Sequence, residues 1–244
     1  MIISTEGIVI KSFNYRETSK IVEIFTKYEG LISLVAKGVR KNKKTLGVLE
    51  PLNIVFVSYY KKNTQNLYLL SKIETIKSFH KLTNNYNKLL TSLLILDLIH
   101  QTQPFAEPNE NLFELTTKTL EKLKQENSNP FLILTYFIIN LLKDLGIDFI
   151  EKTNKLHNSS NYIYLNLING DISALPFQNN FARIKRETVD LIKKINHLEL
   201  DELNQIDNFE INVYEMLTFF EKYLSFHLDK KILLHTIELM SDGI

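Results

Sequence analysis

The chain has 244 residues, 44% of them hydrophobic and 23% charged, with a formal net charge of +1; this profile suits one or two folded domains with a substantial core. It contains no cysteine, which excludes disulfides, thiolate zinc sites, cysteine-bound iron–sulfur clusters and a cysteine nucleophile, and fits a reducing cytoplasm. The near-neutral total hides an asymmetry. Residues 1–81 carry fourteen Lys/Arg against six acids, a net +8, and the remainder is −7; polyanions are the natural partners of a face so basic.

Met1-Ile2-Ile3 runs directly into Ser4-Thr5-Glu6-Gly7, so no secretory leader is expected and the protein is expected in the cytoplasm. Residues 7–10, 21–26 and 31–36 are short β-branched runs between polar turns and read as strands. Residues 53–60 and 66–70 read as a hairpin around a loop at 61–65, the second strand continuing through Ile73 and Ile76. Five strands in about eighty residues suit a small closed barrel, because closure removes exposed edges.

Near residue 82 the spacing becomes helical. Leu89, Leu90, Leu93, Leu94, Leu96, Leu98 and Ile99 predict a buried helix over 82–103, which Pro104 stops. A second helix is predicted over 112–124, and a third opens at Asn129-Pro130 with Asn129 or Ser128 as its cap and Gly146 as its terminator. Residues 150–178 interrupt the helices: 162–167 reads as a strand, and Asn169-Gly170 is a hairpin turn before 171–175. Helical spacing resumes over 181–195 and 211–228. The longest mainly apolar run, 130–142, falls short of the roughly twenty residues a membrane span needs.

The densest basic stretch is Lys37-Gly38-Val39-Arg40-Lys41-Asn42-Lys43-Lys44-Thr45. It follows a strand and reads as a flexible loop at the barrel mouth, able to track a phosphate backbone without reading sequence. Most charge runs are only solvated surface. Here Lys11, Arg16, Lys61 and Lys62 lie in neighbouring strand ends and loops of the same basic segment, which favours a binding role. A phosphate-binding loop is rejected, because position 43 is Lys43 rather than glycine and 46–51 forms no convincing helix. Phe13, Tyr15, Tyr59, Tyr60 and Tyr68 accompany the cations. An exposed ring can stack a base for about 1–3 kcal/mol, although barrel core is the commoner fate of any one of them. Tyr59 shares strand parity with Lys61, which makes that pair the leading stacking-plus-phosphate candidate.

His80, His100, His157, His197, His227 and His235 form no metal or catalytic spacing. No catalytic residue, cofactor or metal site is expected, and the chain reads as a non-enzyme. Glu199, Asp201 and Glu202 read as a solvated helix start. In the last helix most of the aromatic stripe should be core; a part left open at Tyr223, beside Lys222, Lys230 and Lys231, would receive an acidic, apolar peptide.

Several runs resemble one family. They are Thr5-Glu6-Gly7-Ile8-Val9-Ile10-Lys11, Tyr15-Arg16-Glu17-Thr18-Ser19-Lys20-Ile21-Val22, Gly30-Leu31-Ile32-Ser33-Leu34-Val35-Ala36-Lys37-Gly38-Val39-Arg40 and Leu49-Glu50-Pro51-Leu52. Together they look like the N-terminal part of the RecO recombination-mediator proteins of bacterial DNA repair, and Phe220-Glu221-Lys222-Tyr223-Leu224-Ser225-Phe226-His227-Leu228 is similar to that family's last long helix. The resemblance implies an all-β OB-fold barrel at 1–80 that binds single- and double-stranded DNA, then an all-α domain at 81–244. It further implies strand annealing, recombinase loading, and partnership with RecR and with the acidic C-terminal tail of single-strand-binding protein. Many relatives carry a four-cysteine zinc knuckle after the third helix. This chain offers only His157 there, so a small hairpin at 150–178, held by packing without metal, is expected in its place. Two alternatives stay open: an RNA-binding module on the same barrel, or a protein-interaction scaffold. If the whole basic set contacts phosphates, about six to ten of them, affinity should fall about 10³–10⁵-fold between low and moderate salt.

Overall fold

A computed structural model describes residues 1–61, 66–155, 160–207, 209 and 212–234, with Lys43, Asn154 and Lys155 described by backbone alone. The chain divides into two compact units, Met1–Lys124 and Gln125–Ile244.

The first unit is built on five strands: β1 (Ile2–Tyr15), β2 (Ser19–Thr26), β3 (Gly30–Ala36), β4 (Asn53–Tyr60) and β5 (Leu67–Ser78). They close into a barrel in the order β1-β2-β3-β5-β4, with β4 pairing back onto β1. The β3–β5 pair is parallel and the others antiparallel. Alternation fills the interior with Val9, Val22, Ile24, Ile32, Leu34, Val55, Val57 and Tyr59, β-branched and aromatic residues that fit a pleated surface. β1 is longer than the sequence suggests because it serves two neighbours, β4 over its first half and β2 over its second. Its register shifts between Val9 and Lys11, the local bend such a shared strand needs. At the β2–β3 turn Gly30 has φ +69°, and the Glu107 backbone occupies the place of any Cβ, so only glycine fits.

Residues 37–45 are folded rather than loose. A 3₁₀ turn at Val39–Lys41 leads into a six-residue helix, α1 (Lys43–Val48). Asn42 caps it, its side chain accepting from the N–H groups of Lys44 (3.1 Å) and Thr45 (3.4 Å). The helix absent from the sequence reading is therefore present, too short and too polar to show a period. Asn42 holds two of its first amides, and Lys43 stands where a phosphate-binding loop has glycine. Two longer helices complete the unit, α2 (Tyr86–Thr102) and α3 (Glu110–Lys124), each capped by the asparagine before it.

The second unit contains α4 (Pro130–Asp144), α5 (Arg186–Asn196) and α6 (Val213–His227). Asn129 accepts from Phe131 N and Leu132 N, and Gly146 at φ +69° follows the C-terminus, as the sequence predicts. Between α4 and α5 lies a three-stranded sheet of β6 (Tyr162–Asn166), β7 (Ile172–Ser173) and β8 (Phe181–Lys185), in the order β7-β6-β8. The expected hairpin thus gains a third strand. Residues 181–185, expected as the start of a helix, alternate instead, with Ala182 and Ile184 buried and Arg183 exposed. Burial of Ile163, Leu165, Ala182 and Ile184 holds this sheet without thiolates. Among the described residues, no helix is long and apolar enough to cross a membrane.

Candidate nucleic-acid interface

Ion pairing divides the basic residues of the barrel into two sets. Lys11 Nζ lies 3.3 Å from Asp97 and 3.2 Å from His100 Nδ1. Lys20 pairs with Glu50 at 3.2 Å, Lys27 with Glu114 at 3.4 Å and Lys61 with Glu29 at 2.5 Å. Lys72 pairs with Glu74, and Lys77 with Glu121. The Glu29 contact holds Lys61 above the ordinary lysine range, against the opposing effect of desolvation. Lys11 and Lys61, both expected on the nucleic-acid path, are therefore already partnered.

The second set is concentrated at one rim. Lys37, Arg40, Lys41 and Lys44 are exposed, and among the described residues no carboxylate pairs with them. Arg40 Nη1 donates to the carbonyls of Arg16 (3.2 Å) and Glu17 (2.8 Å), which ties the β3–α1 connection to the β1–β2 turn. Arg16 sits in that turn at φ 53°, its guanidinium 5.1 Å from the centroid of Tyr15. Lys43 is placed in the same helix by its backbone, and Lys62 lies outside the described residues. The rim opens on a cavity of about 820 Å³ lined in part by Tyr15, Arg16, Lys37, Tyr60, Tyr68 and Leu69.

Two aromatic assignments change. Tyr59 is fully buried in the barrel and stacks on Tyr68 at 5.3 Å; its parity with Val55 and Val57 points it inward, so it cannot receive a base. Tyr60, one residue on, is 43% exposed and borders the cavity. It is the ring that sequence reasoning passed over in favour of its neighbour. In the second unit Tyr223 is 3% exposed, and its hydroxyl donates to the Ile147 carbonyl at 2.6 Å. The peptide site expected around it loses its ring, while Lys222, Lys230 and Lys231 stay exposed.

The cluster around Lys11 makes a separate prediction. His100 Nε2 lies 2.9 Å from Glu23 Oε2, close but poorly aligned for a hydrogen bond. The His100 ring and the Lys11 charge together hold the Glu23 carboxyl below its ordinary value of 4.5, against burial. A carboxyl lowered by folding adds stability above its unfolded value and loses it as pH falls through the folded one. Melting temperatures measured between about pH 6 and 3 are therefore expected to drop more steeply for the native chain than for Glu23→Gln; parallel curves would remove this cluster as an acid-sensitive contact.

Residues 1–79 match the family model described as Recombination protein O N terminal, and residues 83–150 match Recombination protein O C terminal. The chain is similar to the DNA repair protein RecO of Prosthecochloris aestuarii, 31% identical over 149 residues that are 61% of this chain and 56% of that one. The RecO protein of Salinibacter ruber is 29% identical over 147 residues, 60% of this chain and 56% of that one. With these two the match spans just over half the relative's length. The RecO protein of Alkaliphilus metalliredigens is 25% identical over 236 residues, 94% of this chain and 95% of that one.

Proposed function

The chain belongs to the recombination protein O family, and from that premise we propose that it is a DNA repair and recombination mediator that binds single- and double-stranded DNA on its barrel rim. The observation that carries the reading is the sorting of charge. Most lysines elsewhere on the barrel are neutralised by a carboxylate, while Arg16, Lys37, Arg40, Lys41 and Lys44 have no carboxylate partner among the described residues, and Arg16 and Lys37 line an open cavity together with Tyr60. Phosphates would meet the cations, and an unstacked base would meet Tyr60. The five-stranded closed barrel supports the OB-fold expectation, with 1–80 as the nucleic-acid-binding domain and 81–244 as the helical domain carrying the inserted sheet.

Annealing follows from the same electrostatics. Two phosphate backbones repel, and cations that shield both lower the barrier to their meeting. The work is done by binding, with no bond made or broken, and it fits a cytoplasmic protein that assists recombinase loading. RecR and the acidic tail of single-strand-binding protein are the proposed protein partners, the tail meeting Lys230 and Lys231.

The test is displacement of a fluorescent single-stranded DNA by unlabelled DNA or RNA of the same sequence, run beside an annealing assay with complementary strands. DNA is expected to compete at least as well as RNA, and the protein to accelerate annealing. Preferential displacement by RNA would make this an RNA-binding module. Absence of binding at low salt would leave a protein-interaction scaffold.

A further inference from the structure

The outward face of the β6–β7–β8 sheet has a composition that packing does not require. Ile163, Leu165, Ala182 and Ile184 fill its buried side. On the other side lie half-buried Tyr162, Tyr164 and Phe181, with exposed Arg183 and half-buried Lys185 between them. The ladder sets Tyr164 opposite Arg183 and Tyr162 opposite Lys185. The rings of Tyr164 and Phe181 meet edge to face at 5.6 Å. Arg183 lies over Tyr162, 4.4 Å from its centroid, and Lys222 of α6 lies 5.5 Å over Phe181. Three rings and three cations thus share one face. Among the described residues the acid paired with them is Glu215, 3.8 Å from Lys185, which leaves the face positive although residues 82–244 are net −7.

We propose that this face is a second binding surface, for single-stranded DNA, lying wholly within the second unit. Rings on adjacent strands of an open sheet stack successive bases, and a guanidinium plane stacks on a base as readily as on a tyrosine. Same-face residues recur about every 6.7 Å along a strand, about twice the 3.4 Å rise of stacked nucleotides, which suits a strand whose bases are spread apart. Arg183, Lys185 and Lys222 take the phosphates between them. An acidic peptide would use the cations and leave the rings idle. The inference rests on the mediator reading for its purpose: annealing needs two strands, and a protein with a separate surface on each unit holds one on each.

The chain has no tryptophan, so Tyr164→Trp places a single reporter on the face, and Tyr162→Trp is a second should the first melt early. Both are made in a chain whose rim is disabled by Lys37→Glu, Lys41→Glu and Lys44→Glu, and oligothymidylate is titrated. Saturable quenching of the tryptophan is expected. Adding Arg183→Glu should weaken it at least about fivefold, the loss of about one stacking contact, with an unchanged melting temperature. Emission that ignores the oligonucleotide, or that responds more strongly to polyglutamate, overturns the second surface. If the intact chain still binds a fluorescent oligonucleotide through its rim, the mediator reading survives that result; if it binds by neither readout, both fall.

Discussion

Replacing Lys37, Lys41 and Lys44 with alanine is expected to lower the slope of log affinity against log salt by about two for a single-stranded oligonucleotide, at about 0.7 per released counterion. For the native chain, five rim cations (Arg16, Lys37, Arg40, Lys41 and Lys44) give an expected slope near 3.5, or about a 10²-fold loss between about 50 and 200 mM salt. That is smaller than the 10³–10⁵ expected when every basic residue of the segment is counted. Lys11, Lys20, Lys27, Lys61 and Lys77 each have a carboxylate partner, and a lysine that must part from an acid to meet a phosphate gains little by the exchange. Arg40 is left in place because its bonds to the Arg16 and Glu17 carbonyls shape the rim. Anisotropy titrations across a salt series measure both slopes. An unchanged slope in the triple variant would move the nucleic-acid path off this rim.

The part of this molecule that was legible in sequence is the part governed by neighbours in sequence. β2, β3 and β4 could be read to within two residues because their β-branched alternation is uninterrupted, and α4 announced both ends through Asn129-Pro130 and Gly146. Residues 181–185 could not be settled that way. Phe181 and Ile184 fit a helical spacing that continues into Thr188 and Ile192, and pairing with β6, about twenty residues upstream, decides for the strand. The same limit governs the interface. The excess of positive charge could be counted from the chain, but which charges remain available depends on Glu29 reaching Lys61 and Asp97 reaching Lys11, partners no local pattern reveals. Tyr59 is different. Its shared parity with Val55 and Val57 sets the ring in the core whatever stands at Lys61.

Two substitutions one residue apart separate core from interface. Tyr59→Ala is expected to cost about 3–5 kcal/mol of stability, the usual loss for a large side chain removed from a packed core, since Tyr59 is 0% exposed and stacked on Tyr68. Tyr59→Phe should melt no lower than the native chain and bind DNA unchanged. The Tyr59 hydroxyl is buried near Glu29 but without a well-aligned hydrogen-bond partner among the described residues, and an unmet buried donor costs about 1–3 kcal/mol that phenylalanine avoids. Burial and the nearby Glu29 charge push its pKa upward, so the group stays neutral at every working pH. Tyr60→Ala should do the reverse. With 43% of the residue exposed, its loss should scarcely move the melt, yet weaken single-strand binding by about 5- to 150-fold, the range for one stacked base. Calorimetry and oligonucleotide titration on the three variants separate the roles, because a Tyr59→Phe chain that melts normally but binds poorly would place that hydroxyl against the nucleic acid.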